Sequence, residues 1–145
     1  MIEDIRTALE DGAAVDFDLA IVGAGPAGIT LARELSGQGL RIALLEAGGM
    51  EPPRPEAAAL YDGDVVGLPY PLAASRQRFF GGTSNHWGGW CRPLDAIDFA
   101  VRDWMPRSGW PLPRAALDDA YRRAHEILEI DSDDYDAGPH VEADS

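Results

Sequence analysis

The chain has 145 residues, of which 46% are hydrophobic and 26% charged, a composition typical of globular proteins and unlike that of disordered, fibrous or membrane-spanning ones. The chain has 12 basic and 25 acidic residues, and the resulting net charge of -13 disfavours nucleic acid and anionic membrane surfaces as partners. The single cysteine, Cys91, excludes an intramolecular disulfide, and no cysteine or histidine spacing typical of a metal site is present.

The first 16 residues form an acidic lead. Ile2, Ile5 and Leu9 have the spacing of one helix face, so a short helix is predicted from Ile2 to Leu9. Acidic side chains stand in this lead where a secretory signal peptide would carry basic ones. We therefore expect a cytoplasmic protein without a membrane span.

A strand, a helix and a second strand are predicted between residues 17 and 46. Two apolar runs, Phe17–Val22 and Arg41–Glu46, flank a stretch with helical periodicity that starts at Pro26 and ends near Ser36. Because parallel neighbouring strands must be joined by a crossover, this order predicts a right-handed βαβ unit of a buried parallel sheet. The expected fold class is therefore α/β and Rossmann-like.

A glycine motif, G-x-G-x-x-G, closes the first strand and opens the helix. Gly23 permits the tight turn, Gly25 allows the backbone to approach a pyrophosphate, and Gly28 allows the helix to pack closely on the strand. Pro26 and Ala27 lie in the first helical turn, whose unpaired N–H groups attract phosphate. This pattern predicts a dinucleotide site.

Glu46 ends the second strand, about 20 residues after the glycine motif, as the dinucleotide fingerprint requires. Its carboxylate is expected to accept hydrogen bonds from ribose hydroxyls, and Ala47 beside it is included in the predicted site. A carboxylate at this position repels the 2′-phosphate of NADP, so FAD and NAD both remain as candidates.

A second glycine-rich segment, residues 76–92, mixes glycine with aromatic, basic and polar side chains. This composition fits neither a core helix nor an ordinary strand, so a loop that contacts a ligand is predicted. Gly81 and Gly82 leave room for a ring to lie close to the backbone, and the planar guanidinium of Arg76 or Arg78 suits a diphosphate.

Two separated stretches, DFDLAIVGAGPAGITLARELSGQGLRIALLEAGG and RQRFFGGTSNHWGG, resemble the glucose-methanol-choline (GMC) flavoprotein oxidoreductases. The segment from Trp104 to Leu128 is also similar to bacterial sugar-dehydrogenase members of that family, and the histidine in the second stretch is similar to the pyranose-oxidase pattern. The resemblance implies FAD as the cofactor and a longer, two-domain parent fold, of which this chain is the N-terminal fragment.

The resemblance also implies which residues of the second stretch contact FAD. These residues are Arg76, Arg78, Gly81, Gly82, Thr83, Asn85, His86, Trp87 and Gly88. In some members of the family a histidine at the place of His86 is bonded covalently to the flavin, whereas the alternative is a histidine that only packs beside the ring or donates one hydrogen bond. In the longer sequences of the family the catalytic histidine lies in the C-terminal part, so the resemblance implies no catalytic residue and no metal ligand in this segment.

Three segments are expected along the chain. Residues 1–16 are the acidic lead, residues 17–130 the N-terminal part of an FAD-binding domain that ends in a helix from about Arg114 to Ile130, and residues 131–145 an acidic tail or the start of a substrate domain. The resemblance implies hydride transfer from an alcohol or sugar hydroxyl to FAD and then to an unidentified electron acceptor. The alternatives are an NAD-dependent dehydrogenase and a non-catalytic, truncated flavin-binding fragment.

Overall fold

The computed structural model describes residues 1–132 and 134–135, with the backbone alone at residues 57–59. The chain divides into two compact units, Met1–Gly88 (the N-terminal unit) and Gly89–Ser145 (the C-terminal unit). Most of the predicted acidic tail, residue 133 and residues 136–145, lies outside the described residues. None of the helices in the described ranges combines the length and the apolar character needed to cross a membrane.

The acidic lead contains helix α1, Ile5–Ala8, which is a single turn and shorter than the predicted helix. Asp4 precedes it and accepts a hydrogen bond from the Arg6 N–H at 3.0 Å. Leu9 already has an extended backbone, with φ -124° and ψ 144°, and this conformation ends the turn. Four helical residues are too few to persist without capping, so the Asp4 side chain helps to define where α1 begins.

The N-terminal unit is built on strand β1, Leu19–Val22, helix α2, Pro26–Leu35, and strand β2, Ile42–Leu45. The two strands are parallel, with Leu19 opposite Ile42 and Val22 opposite Leu45. The predicted strand–helix–strand order and the parallel pairing are confirmed, and this small mixed α/β arrangement is consistent with a Rossmann-like unit.

Three buried side chains form the core of the N-terminal unit. Ile21 comes from β1, Ala24 from the loop after it, and Phe79 from a segment much further along the chain. Gly28 of α2 is also buried. The core therefore lies directly beneath the β1–α2 loop, and a distant segment completes it.

The rest of the N-terminal unit contains only short helical pieces. Helix α3, Pro55–Ala58, runs into a 3₁₀ turn at Ala59–Tyr61, and helix α4 spans Leu72–Ser75. The predicted ligand loop contains a 3₁₀ helix, Gly82–His86. Side chains close this turn, because Ser84 Oγ donates to the Gly81 carbonyl and Asn85 Nδ2 donates to the Phe80 and Gly82 carbonyls.

The C-terminal unit contains helix α5, Ala96–Phe99, a 3₁₀ helix, Arg114–Leu117, and helix α6, Asp118–Leu128. The single helix predicted from Arg114 to Ile130 is thus divided, and it ends earlier. The end follows from Glu129, whose φ of 56° is left-handed and incompatible with a further helical turn. An ion pair between Arg114 and Asp118 spans the junction of the two helical pieces.

Candidate functional site

The β1–α2 loop leaves open space beside Gly25. A Cβ atom built on Gly25 meets nothing within 4 Å, and Gly25 itself is the residue that caps α2. Among the described residues no side chain caps this helix, and Pro26 occupies its first turn. The N–H groups of the first turn and the positive end of the helix dipole are therefore not blocked by a capping side chain, and a helix N-terminus of this kind attracts anions.

Gly28 makes the close contact between helix and strand. A Cβ atom at this position would lie 2.0 Å from the Gly23 carbonyl oxygen and 3.3 Å from Ile21 Cγ2. Only glycine fits there, because any side chain would push α2 away from the loop and from β1. This is the packing predicted for the third glycine of the motif.

Glu46 bonds two backbone amides at the end of β2. Its Oε2 accepts from the Ala24 N–H at 2.9 Å, and its Oε1 accepts from the Gly48 N–H at 2.9 Å. The residue is half-buried beside the glycine loop. An ionised carboxylate has about four lone-pair positions, so two remain for further donors such as ribose hydroxyls.

Gly48 and Gly49 are site residues that the sequence reasoning missed. A Cβ atom on Gly48 would lie 1.9 Å from the Arg78 carbonyl oxygen, so the Arg78 backbone rests directly on this glycine. The Gly49 carbonyl accepts from the Phe80 N–H at 2.9 Å. The available signal was a glycine doublet immediately after the acidic residue, a pattern that often marks the close approach of another backbone.

The second glycine motif lies against the first. The Gly81 N–H donates to the Ala24 carbonyl at 2.8 Å, and a Cβ atom on Gly82 would lie 3.4 Å from Gly25 Cα. Gly81 has a φ of 90°, a left-handed conformation that favours glycine. Two motifs separated in the sequence are thus neighbours in the N-terminal unit.

The predicted site residues after Gly82 differ in their contacts. Thr83 Oγ1 accepts from the Gln77 N–H at 3.1 Å. His86 is exposed, with its ring 5.7 Å from that of Phe79, and Trp87 is also exposed. Gly88 is the last residue of the N-terminal unit. These residues are placed beyond the glycine loop and have open faces toward solvent.

The two arginines of the segment differ in exposure. Arg76 is exposed at the end of α4, whereas Arg78 is half-buried and rests on Gly48. Neither guanidinium forms an ion pair within the described part of the chain. Ala27 and Ala47 are both exposed beside the motif. Within residues 1–132 and 134–135, no group of three His, Cys, Asp or Glu side chains could hold a metal ion.

Comparison with known proteins gives a match to a family model. Residues 18–60 match a family model described as lycopene cyclase protein. No curated protein and no solved structure matches the chain significantly. The matched segment contains β1, the glycine loop, α2, β2 and Glu46. The matched family binds FAD, so the match supports a flavoprotein-type, FAD-binding unit and points to a flavin-dependent enzyme.

This match corrects the resemblance to the GMC family. The prediction of GMC membership is wrong, because the family model that fits residues 18–60 is that of a carotenoid cyclase family. The physical reason is that a strand, a glycine loop, a helix and a terminal acid serve the ADP portion of a dinucleotide, whatever reaction the rest of the enzyme performs. The motif therefore indicates a dinucleotide without specifying the chemistry.

Proposed function

We propose that the N-terminal unit binds the ADP portion of FAD and is the dinucleotide-binding part of a flavin-dependent enzyme. The observation that carries the proposal is the open space beside Gly25, at the N-terminus of α2. No side chain in the described part of the chain caps this helix end, and Glu46 lies beside the loop. The space suits either dinucleotide, and the FAD-binding family matched over residues 18–60 favours FAD over NAD.

Each part of the site has a role in this proposal. The loop from Gly23 to Gly28 and the first turn of α2, with Pro26 and Ala27, would hold the pyrophosphate. The remaining lone pairs of Glu46 would accept from the adenosine ribose. Arg76 and Arg78 would neutralise phosphate charge, since a guanidinium forms charge-assisted bonds with phosphate oxygens. Bound FAD would supply the redox chemistry of its flavin ring.

The turn that follows would face the flavin. The residues proposed to contact it are Gly81, Gly82, Thr83, Asn85, His86, Trp87 and Gly88. Support comes from the backbone contact of Gly81 and Gly82 with the glycine loop, because a cofactor held at that loop would extend past this turn. Oxidation of an alcohol or sugar hydroxyl stays a prediction from the sequence, and the reaction proposed here is no finer than flavin-dependent catalysis.

The proposal is tested by titrating FAD and NAD into the protein and into Gly25→Ala. A methyl group at Gly25 contacts nothing in the ligand-free chain but would occupy the phosphate space, so FAD binding should weaken by about 10- to 100-fold, the worth of one or two charge-assisted hydrogen bonds. Thermal stability should fall only slightly, because alanine is a poorer N-cap residue than glycine. The matched control is Gly63→Ala, whose Cβ would meet only Leu72 Cδ1 at 3.8 Å. Binding of NAD in preference to FAD, or wild-type FAD affinity in Gly25→Ala, would refute the proposal.

His86 is proposed to contact the flavin without a covalent bond. Its exposed ring next to Phe79 gives it an open face, which suits stacking. Acid precipitation of the FAD-loaded protein should release all yellow colour into the supernatant, and His86→Ala should lower FAD affinity about threefold to tenfold, the worth of one ring contact. Colour that stays in the pellet, and is lost in His86→Ala, would show a covalent link instead.

A further inference from the structure

Ala24 is the point at which three segments of the N-terminal unit meet. Its side chain is 1% exposed, and both of its backbone polar groups have partners from elsewhere in the chain. The Ala24 N–H donates to Glu46 Oε2 at 2.9 Å, and the Ala24 carbonyl accepts from the Gly81 N–H at 2.8 Å. A displacement of Ala24 would therefore disturb the end of β2 and the Gly82–His86 turn together.

A second set of contacts joins the same segments on the far side of Glu46. The other carboxylate oxygen, Oε1, accepts from the Gly48 N–H, and Gly48 packs against the Arg78 carbonyl. The next carbonyl, that of Gly49, accepts from the Phe80 N–H at 2.9 Å. The glycine loop, the β2 end and the segment from Arg78 to Gly81 thus form a closed ring of contacts.

We propose that Glu46 is a positioning residue that holds this ring together before any dinucleotide binds. The proposal rests on the FAD site proposed above and deepens it, since the function predicted for Glu46 from the sequence is contact with ribose alone. Hydrogen bonds to an ionised carboxylate are roughly twice as strong as neutral ones. The Glu46 carboxylate bonds the glycine loop through the Ala24 N–H and its own β2 end through the Gly48 N–H, the residue on which Arg78 packs. The Gly82–His86 turn is consequently held at the glycine loop by protein contacts.

Such a role has a consequence for affinity. If the Gly82–His86 turn is already in place, no entropy is lost in ordering it when the cofactor binds. Because this turn would contact the flavin, it would raise the affinity for FAD more than the affinity for ADP. A Glu46 that contacted only ribose would influence ADP and FAD equally. The ratio of the two dissociation constants therefore separates the positioning role from ribose contact and from general destabilisation.

The first experiment measures amide hydrogen exchange by NMR in the ligand-free protein, in Glu46→Gln and in a control, Glu51→Gln, which makes the same change at an exposed residue nearby. The glutamine side chain keeps one acceptor oxygen, so one of the amides at Ala24 and Gly48 should exchange about tenfold faster. The Gly81 amide should accelerate as well, although it does not contact Glu46. Unchanged exchange at Gly81 would overturn the proposal.

The second experiment compares the dissociation constants of ADP and FAD in the same variants. Glu46→Gln should weaken FAD severalfold more than ADP, and an equal loss for both would overturn the positioning role. If wild-type protein binds neither ligand while the exchange result holds, the proposed function fails and the ring of contacts stands. If Glu46→Gln does not fold, Glu46→Asp replaces it, because the shorter carboxylate keeps its charge but cannot span both amides.

Discussion

The two units of the chain differ in what they bury. The N-terminal unit buries Ile21, Ala24 and Phe79 around its glycine loop, whereas no residue in the described part of the C-terminal unit is buried. In that unit the side chains of Trp90 and Trp104 are 92% and 75% exposed. Large apolar side chains therefore do not by themselves produce a core in this protein. In the N-terminal unit the core lies where glycines allow close approach, since a Cβ atom on Gly28 would lie 3.3 Å from Ile21 Cγ2 and one on Gly48 would lie 2.7 Å from Phe79 Cα.

The contacts in the C-terminal unit include hydrogen bonds from a loop to α6 and within the loops. The Tyr121 hydroxyl accepts from the Leu94 N–H at 3.0 Å, and Ser108 Oγ accepts from the Arg102 N–H at 2.8 Å. The ring of Trp110 lies 5.7 Å from that of Phe99. Hydrogen bonds of this kind contribute about 1 kcal/mol each, so every contact in this unit is expected to be individually weak.

The largest effect on stability is expected from Gly28→Ala in the N-terminal unit. Its Cβ atom would lie 2.0 Å from the Gly23 carbonyl oxygen, so the helix must move or the loop must open. We expect a loss of at least ~3 kcal/mol in the free energy of unfolding, measured by urea denaturation, because backbone cannot yield as a flexible side chain does. Gly63→Ala should change it by less than ~0.5 kcal/mol. A Gly28→Ala variant as stable as the wild type would show that the glycine contact does not hold this core.

A smaller effect is expected from Tyr121→Phe in the C-terminal unit. The phenylalanine ring keeps the position beneath Arg114, whose guanidinium carbon lies 4.5 Å from the ring centre, and only the hydrogen bond to Leu94 is lost. The free energy of unfolding should fall by about 1 kcal/mol, with FAD affinity unchanged. Tyr70→Phe is the control, since the Tyr70 side chain is 55% exposed. A loss above about 3 kcal/mol would contradict the picture of weak, separate contacts.

The smallest effect is expected at α1, which belongs to the N-terminal unit but has no buried residue. The side-chain hydrogen bond from Arg6 lowers the pKa of Asp4 from 3.8 to about 2. The stabilisation of α1 by this pair is thus complete above pH 4 and is lost as the pH falls toward 2. NMR shifts of the Thr7 and Ala8 amides should move to coil values over that range, while β1 signals stay unchanged. Titration of Asp4 near pH 3.8, or an identical profile in Asp4→Asn, would contradict the expectation.

Local patterns in the sequence were sufficient to predict the two strands and the helix of residues 17–46. Strand β1, helix α2 and strand β2 were predicted within two residues of their ends, because apolar runs, a proline at the helix start and flanking glycines all act over a few neighbouring residues. The same patterns did not reveal the chemistry. The GMC assignment relied on motifs that serve a shared cofactor, and the match over residues 18–60 contradicted it.

What the sequence determined by itself is the strand–helix–strand order and the glycine loop suited to a dinucleotide, since both depend on interactions close along the chain. The parallel pairing followed from that order, because a crossover helix joins neighbouring strands in parallel. Only the tertiary structure decided the partners of Glu46, the packing of Arg78 on Gly48 and the burial of Phe79. It also decided that the helical stretch after Arg114 is divided. The reason is that a hydrogen bond or a close contact between distant segments depends on where the backbone lies in space, which no local spacing of residue types records.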